Sequence, residues 1–158
     1  MRTGFGYDSH RLVPGRRLVL GGVDISFEKG LAGHSDADAL IHAIIDAMLG
    51  ALGAGDIGSH FPDTDPAWKG ISSLILLERV VGLARERGYR VEQVDSTIIA
   101  EAPRLNPHIG QMRAALARVL QALEGNVSIK AKSNEGMGFT GRGEGIAVFA
   151  VCVLVPTA

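Results

Sequence analysis

The sequence predicts an α+β fold: one domain, spanning 1–158, with helices packed on one face of a mixed β-sheet. Three observations lead there. The chain has 158 residues, enough for one domain with one sizeable core. Its apolar residues recur at helical spacing in some stretches and fall into alternating or β-branched runs in others. No repeat, linker or low-complexity tract divides it. Hydrophobic residues make up 46% of the chain and aromatic ones only 5%, so the core has to be aliphatic.

In chain order, Thr3 to His10 reads as a strand, with Arg17 to Ile25 as a hairpin beside it. A helix is expected from Asp36 to Leu52, because Leu40, Ile41, Ile44, Ile45, Met48, Leu49 and Leu52 recur at helical spacing. Ser35, with Asp38 three positions on, resembles a capping box that starts it. Gly53 to Asp65, rich in Gly, Asp and Pro, is a loop. A second helix is expected from Ser72 to Arg87, closed by Gly88. The β-branched stretch Val91 to Ile99 is a strand. Asn106 and Pro107 make an N-cap and first-turn pair for a third helix reaching Leu123. The strands Val127 to Lys132 and Ile146 to Val155 bracket the glycine-rich stretch Asn134 to Gly145.

Several function classes are excluded. A net charge of -1 leaves no excess of Lys and Arg for a nucleic-acid footprint. The single cysteine, Cys152, cannot form an internal disulfide and suits a reducing compartment. It sits in an apolar run, as a buried strand residue does, rather than in a nucleophile's setting. No apolar segment reaches the roughly 18 residues that would span a bilayer. Met1 to Asp8 lacks the apolar stretch of a secretory signal, so a cytoplasmic location is expected.

Asp8 and His10 lie two apart on the first strand, so their side chains leave the same face. His42, on the first long helix, falls at the rim of the apolar arc, half-buried with one ring nitrogen free. One carboxylate and two imidazoles form a donor set that zinc accepts, and three protein ligands leave a fourth position open for catalysis. Asp38 and Asp46, one helical turn before and after His42, are the candidates for orienting its ring. The plain alternative is a polar strand end and a rim histidine.

His34 and Ser35 stand where the first helix begins, a position suited to phosphate; Ser35 is also an ordinary N-cap. Asp56-Ile57-Gly58 and Phe61-Pro62-Asp63-Thr64-Asp65 put acceptors in a turn-rich loop, where sugar hydroxyls could be held. In Lys132-Ser133-Asn134-Glu135 a hydroxyl and a carboxylate follow a strand end, and Glu135 could hold a harder cation on phosphate oxygens. The glycine-rich stretch has no Walker-type ending, so it is not a P-loop. Its glycines suit close approach at a subunit interface.

Taken together, Gly6-Tyr7-Asp8-Ser9-His10, His34-Ser35-Asp36-Ala37-Asp38, His42, Asp56-Ile57-Gly58, Phe61 to Asp65, Ala102-Pro103-Arg104, Pro107-His108-Ile109 and Gly138 to Gly145 resemble the 2-C-methyl-D-erythritol 2,4-cyclodiphosphate synthase family across essentially the whole chain. The resemblance implies a homotrimer with sites at its subunit interfaces. It implies a lyase of non-mevalonate isoprenoid biosynthesis that closes 4-diphosphocytidyl-2-C-methyl-D-erythritol 2-phosphate to the cyclic diphosphate and releases CMP. By the same resemblance Asp8, His10 and His42 bind Zn2+, Glu135 binds Mg2+ or Mn2+, and His34 and Ser133 stabilise the transition state. Asp8, Ser9, His10, His34, Ser35, Asp56, Ile57, Gly58 and the loop Phe61, Pro62, Asp63, Thr64, Asp65 would hold substrate. A neighbour's Ala100, Glu101, Ala102, Pro103, Arg104, Leu105, Asn106, Lys132, Ser133, Asn134 and Glu135 would form the cytidine pocket. Phe139 and Arg142, with Glu144, would line the phosphate end of an apolar trimer-axis cavity that takes an isoprenoid diphosphate. Two positions depart from the family pattern: Ser133 stands where many members carry Thr, and Lys132 replaces a small polar residue found in some members. The rival readings are a phosphohydrolase on the same metal site and a non-catalytic isoprenoid-diphosphate binder.

Overall fold

Alternation of small and large side chains builds the first strand, β1 (Arg2–Pro14), in a computed structural model that describes Met1–Ala158. Gly4, Gly6, Asp8, His10 and Leu12 face inward, while Phe5 and Tyr7 stand exposed on the other side. β2 (Leu18–Leu20) and β3 (Val23–Ile25) follow as a hairpin, then β4 (Lys29–Leu31). Helix α1 (Ala39–Leu52) leads through the one-turn helix α2 (Ile57–His60) to α3 (Ser73–Glu86) and β5 (Tyr89–Ile99). The chain closes with α4 (Ile109–Leu120), β6 (Val127–Lys132), the short α5 (Gly138–Gly141) and β7 (Gly145–Pro156).

Five strands form one sheet in the order β4-β1-β7-β5-β6. All neighbours are antiparallel except β5 and β6, so the sheet is mixed, as expected. Helices α1, α3 and α4 lie on one face. Between them and the sheet sits a cluster of 37 buried residues with no aromatic side chain, the aliphatic core the composition required. Cys152 is fully buried within it on β7, and burial pushes its thiol up to about 12, which rules out a thiolate nucleophile.

Helix α1 is the keel of the core: 12 of its 14 residues are buried. It lies so close to β1 that a Cβ on Gly4 would stand 1.8 Å from the Ala47 carbonyl oxygen, and one on Gly6 1.9 Å from that of Ala43. Only glycine fits at either position.

Three local expectations need correction. The hairpin does not join β1; it forms its own two-stranded sheet, and the edge of β1 is taken by β4 through the Leu12–Leu31 register. Helix α1 starts at Ala39 rather than Asp36, because Ala37 takes a φ of 58° that breaks the helical path. Asp38, not Ser35, is the cap: its carboxylate accepts from Ile41 N, and from Gly21 N and Gly22 N of the hairpin turn. The third helix is shorter at both ends. Asn106–His108 form a 3-10 turn with no side-chain cap, and Gln121 ends α4 with a φ of 56°.

The outer face of the sheet carries no helix. Phe5, Tyr7, Phe149 and Val151 are exposed there, with the Tyr7 and Phe149 rings 5.1 Å apart.

Candidate metal centre and active site

The close packing of α1 on β1 brings three donors together at the end of that contact. Asp8 Oδ2 lies 2.8 Å from His10 Nε2 and 3.1 Å from His42 Nδ1, and the two ring nitrogens are 3.2 Å apart. One donor atom from each residue falls within 4.8 Å of the others, a cluster that could hold a metal ion. His10 Nδ1 donates to the Ala32 carbonyl at 2.7 Å, which turns Nε2 toward the cluster. Burial alone would raise the Asp8 carboxyl, but the His10 and His42 imidazoles beside it overcome this and hold that carboxyl at about 2. Burial disfavours a charged His10, yet the Asp8 hydrogen bond and charge raise its pKa. A carboxylate that stays ionised and two imidazole nitrogens aimed at it are the donor set a divalent cation needs.

Neither Asp38 nor Asp46 orients His42, because both are committed elsewhere. Asp38 caps α1, and Asp46 accepts from Ile57 N at 2.7 Å. The partner is Ser73, the first residue of α3, whose Oγ lies 2.9 Å from His42 Nε2; Ser35 Oγ stands at 3.1 Å. Ser73 in turn bonds to Asp36. Sequence reasoning missed this partner, which comes from another helix 31 positions along the chain.

His34 and Ser35 lie in the loop before α1, not at its first turn, so the helix end does not provide them with an anion site. The loop is held by backbone pairing to Gly70 and Ile71, and by Arg16, which donates to the Gly33 and Ser35 carbonyls. His34 Nε2 donates to the Asp65 carbonyl at 3.0 Å, tying it to the turn-rich loop.

These parts enclose a cleft of about 550 Å3 lined by Asp8, His10, His34, Ser35, His42, Ile57, Gly58, Phe61, Pro62, Asp63 and Thr64. Gly33, Trp68 and Leu76 complete its wall and were not foreseen. The Trp68 indole packs edge-on against Phe61 under the Arg79 guanidinium, and its buried N–H has no partner. Asp56 and Asp65 stay out of the lining. Asp56 caps α2 through Ser59, and Asp65 caps the turn at Pro66–Trp68 through Ala67 N.

The remaining expected residues lie elsewhere. Ala100, Glu101, Pro103, Arg104, Leu105, Asn106, Lys132 and Ser133 line a separate cleft of about 350 Å3 at the ends of β5 and β6. Ala102 borders it through the Ala102–Pro103 peptide, and Asn134 N bonds to Glu101. Glu135 is exposed at a φ of 53° and stands outside the three-donor cluster. Ser9 and Phe139 share a third hollow with Arg11 and Glu144, and Arg142 pairs with Glu144 on the surface. No residue is common to the first two clefts.

Fold and site together define an α+β enzyme whose main cleft is walled by three donors that could hold a metal ion. The chain belongs to the YgbB family, whose profile matches residues 1–155. It is similar to the 2-C-methyl-D-erythritol 2,4-cyclodiphosphate synthase of Pelobacter propionicus, 59% identical over 155 residues that cover 98% of each chain. Among solved structures, it matches the bifunctional IspDF of Campylobacter jejuni with a TM-score of 0.93 and 39% identity, over 97% of this chain and 42% of that longer one. It also matches a 2-C-methyl-D-erythritol 2,4-cyclodiphosphate synthase in a CDP-bound form with a TM-score of 0.90 and 37% identity, over 98% and 100% of the two chains.

Proposed function

We propose that this chain, as one 1–158 domain, converts 4-diphosphocytidyl-2-C-methyl-D-erythritol 2-phosphate to 2-C-methyl-D-erythritol 2,4-cyclodiphosphate and CMP in the cytoplasm. The observation that carries the reading is the convergence of Asp8 Oδ2, His10 Nε2 and His42 Nδ1 at the wall of a cleft large enough for a sugar phosphate. Zn2+ there, and Mg2+ or Mn2+ at Glu135, would neutralise phosphoryl oxygens and align them for in-line displacement. The substrate's own 2-phosphate oxygen attacks the β-phosphorus, forms the ring and expels CMP, so no protein nucleophile is required. The protein's work is positioning. On this reading His34, tethered to Asp65, and Ser133, supplied by a neighbouring chain, would stabilise the reacting phosphates, while Ile57, Gly58 and the Phe61–Thr64 loop would hold the sugar.

The cytidine end belongs to the second cleft. Because one chain carries the two clefts as separate hollows, the reading unites them between chains. The sheet's bare face supports this: Phe5, Tyr7, Phe149 and Val151 form an exposed apolar patch, suited to burial against copies of itself in a homotrimer. An isoprenoid diphosphate fits the same axis, with its phosphates toward Phe139 and Arg142.

The experiment is product analysis on the purified protein with both metals. A cyclic diphosphate and CMP are expected, whereas a linear diphosphate would identify a hydrolase. His42→Ala removes one of three ligands and should abolish zinc retention and CMP release together, with circular dichroism unchanged. A folded variant with normal zinc and normal CMP release refutes the assignment.

A further inference from the structure

Behind His42, on the side away from Asp8 and His10, the Ser73 hydroxyl lies 2.9 Å from Nε2 and is fully buried. Asp36 grips Ser73 twice: Oδ2 accepts from Ser73 N at 3.0 Å, and Oδ1 accepts from the Ser73 hydroxyl. Asp36 N in turn donates to the Ile71 carbonyl at 3.1 Å, so the loop before α1 and the start of α3 are clasped together. The cap residue of α3, Ser72, makes no side-chain bond, and Asp36 supplies that cap from outside the helix.

Donor and acceptor counting then fixes direction. A carboxylate can only accept, so the single Ser73 hydroxyl proton goes to Asp36. Ser73 is left with lone pairs alone to offer His42, and Nε2 has to carry the ring proton. Nδ1 therefore presents its lone pair to the three-donor cluster once a cation takes up the Asp8 carboxylate, which at 3.1 Å otherwise competes for a proton on Nδ1. Ser35 Oγ does not decide the matter: it accepts from Ala37 N, but its hydroxyl proton is uncommitted and can serve either tautomer at its 3.1 Å separation from Nε2. The opposite tautomer would put a proton on Nδ1, between the metal donors.

We infer that Asp36 and Ser73 are positioning residues for the metal centre, setting the His42 tautomer through an aspartate–serine–histidine relay. This rests on Asp8, His10 and His42 being the metal site, and the test separates the two ideas. In alkaline buffer, well above the ordinary imidazole pKa of about 6.5, 15N NMR of the metal-free full-length Asp8→Ala protein, from which the competing carboxylate is gone, should show His42 as the Nε2–H form. When Asp36→Asn is added to that protein, the amide NH2 can donate to Ser73 Oγ, which frees the hydroxyl to donate to Nε2 and shifts His42 toward Nδ1–H.

Titration with Zn2+ against a chromophoric chelator should find affinity about 10–100-fold lower in Asp36→Asn and in Ser73→Ala. Ser73→Thr, which keeps the hydroxyl, should restore it. An Nδ1–H tautomer in metal-free Asp8→Ala overturns the inference, even if neither of the other variants folds. So does unchanged affinity in both Asp36→Asn and Ser73→Ala, or a weakened Asp36→Asn whose His42 remains Nε2–H in the Asp8→Ala background, which would assign the pair to clasping the loop alone. A wild-type protein that binds no Zn2+ refutes the metal site itself.

Discussion

Replacing Gly6 by alanine puts a methyl group where α1 already stands. The new Cβ would lie 1.9 Å from the Ala43 carbonyl oxygen and 2.7 Å from Ala47 N; ordinary contact begins at 3.4 Å, so the helix must withdraw by about 1.5 Å. Both neighbours are backbone atoms, and a helix with 12 of 14 residues buried cannot move from β1 without opening its other contacts. Overpacking of this kind costs about 1–3 kcal/mol, and backbone obstruction argues for the upper end. At about 2–4 °C per kcal/mol for a domain of this size, melting should fall by about 6–12 °C. The metal centre should suffer with the fold. Gly6 is two residues before Asp8 and Ala43 directly follows His42, so the same withdrawal stretches the 3.1 Å Asp8–His42 separation. Thermal melts and Zn2+ competition titrations should therefore fall together. Gly82→Ala is the control: its Cβ meets nothing within 4 Å inside α3, and it should stabilise by up to about 1 kcal/mol. Gly6→Ala melting at the wild-type temperature with wild-type zinc affinity refutes the reasoning.

Other outcomes follow from separate features. Glu135→Gln should weaken Mg2+ dependence and turnover while leaving zinc content intact, because Glu135 stands outside the three-donor cluster; zinc loss on metal analysis contradicts the division of the two cations. Burial pushes the Asp38 carboxyl from 3.8 up to about 6, so the folded state holds this proton more tightly than the unfolded chain does. Its contribution to stability is full below pH 3.8 and lost as pH rises through 6, on the order of 3 kcal/mol. Urea midpoints measured across that window should decline more steeply in the wild type than in Asp38→Asn, and equal slopes refute the shift. Sedimentation at micromolar concentration should give a trimer; a fully active monomer would exclude a site shared between chains.

Much of this was legible in the sequence because periodicity reports which way side chains point. A period of two put Asp8 and His10 on one face of β1, and the apolar stripe of α1 put His42 beside the core, though it is buried rather than half-buried and both its ring nitrogens have neighbours, Nδ1 facing the cluster and Nε2 facing Ser73. What stayed hidden depends on tertiary neighbours. Ser35–Asp38 reads as a capping box, but Ala37 at positive φ ends the loop later, and Asp38 also serves the hairpin turn. Asp38 and Asp46 sit at the right helical spacing to reach His42, yet each satisfies backbone N–H groups from another segment first. Ser73 follows a turn and starts a helix, and nothing local distinguishes it from an ordinary cap. Only the docking of α3 brings it to His42.

The position of β7 bears on how the protein comes into being. The last of the sheet's five strands to be made is its middle one, with β4-β1 on one side and β5-β6 on the other. Until it emerges, the two halves have no common partner, and the sequence separation across the Arg2–Leu154 pairing is nearly the whole chain. Contacts this distant along the chain slow folding. A nascent chain therefore waits with the edges of β1 and β5 unpaired and the inner side of α1 only partly covered. Truncation ahead of Gly145 should leave two strand pairs that cannot close into one sheet, a product for proteases and chaperones rather than a shortened enzyme.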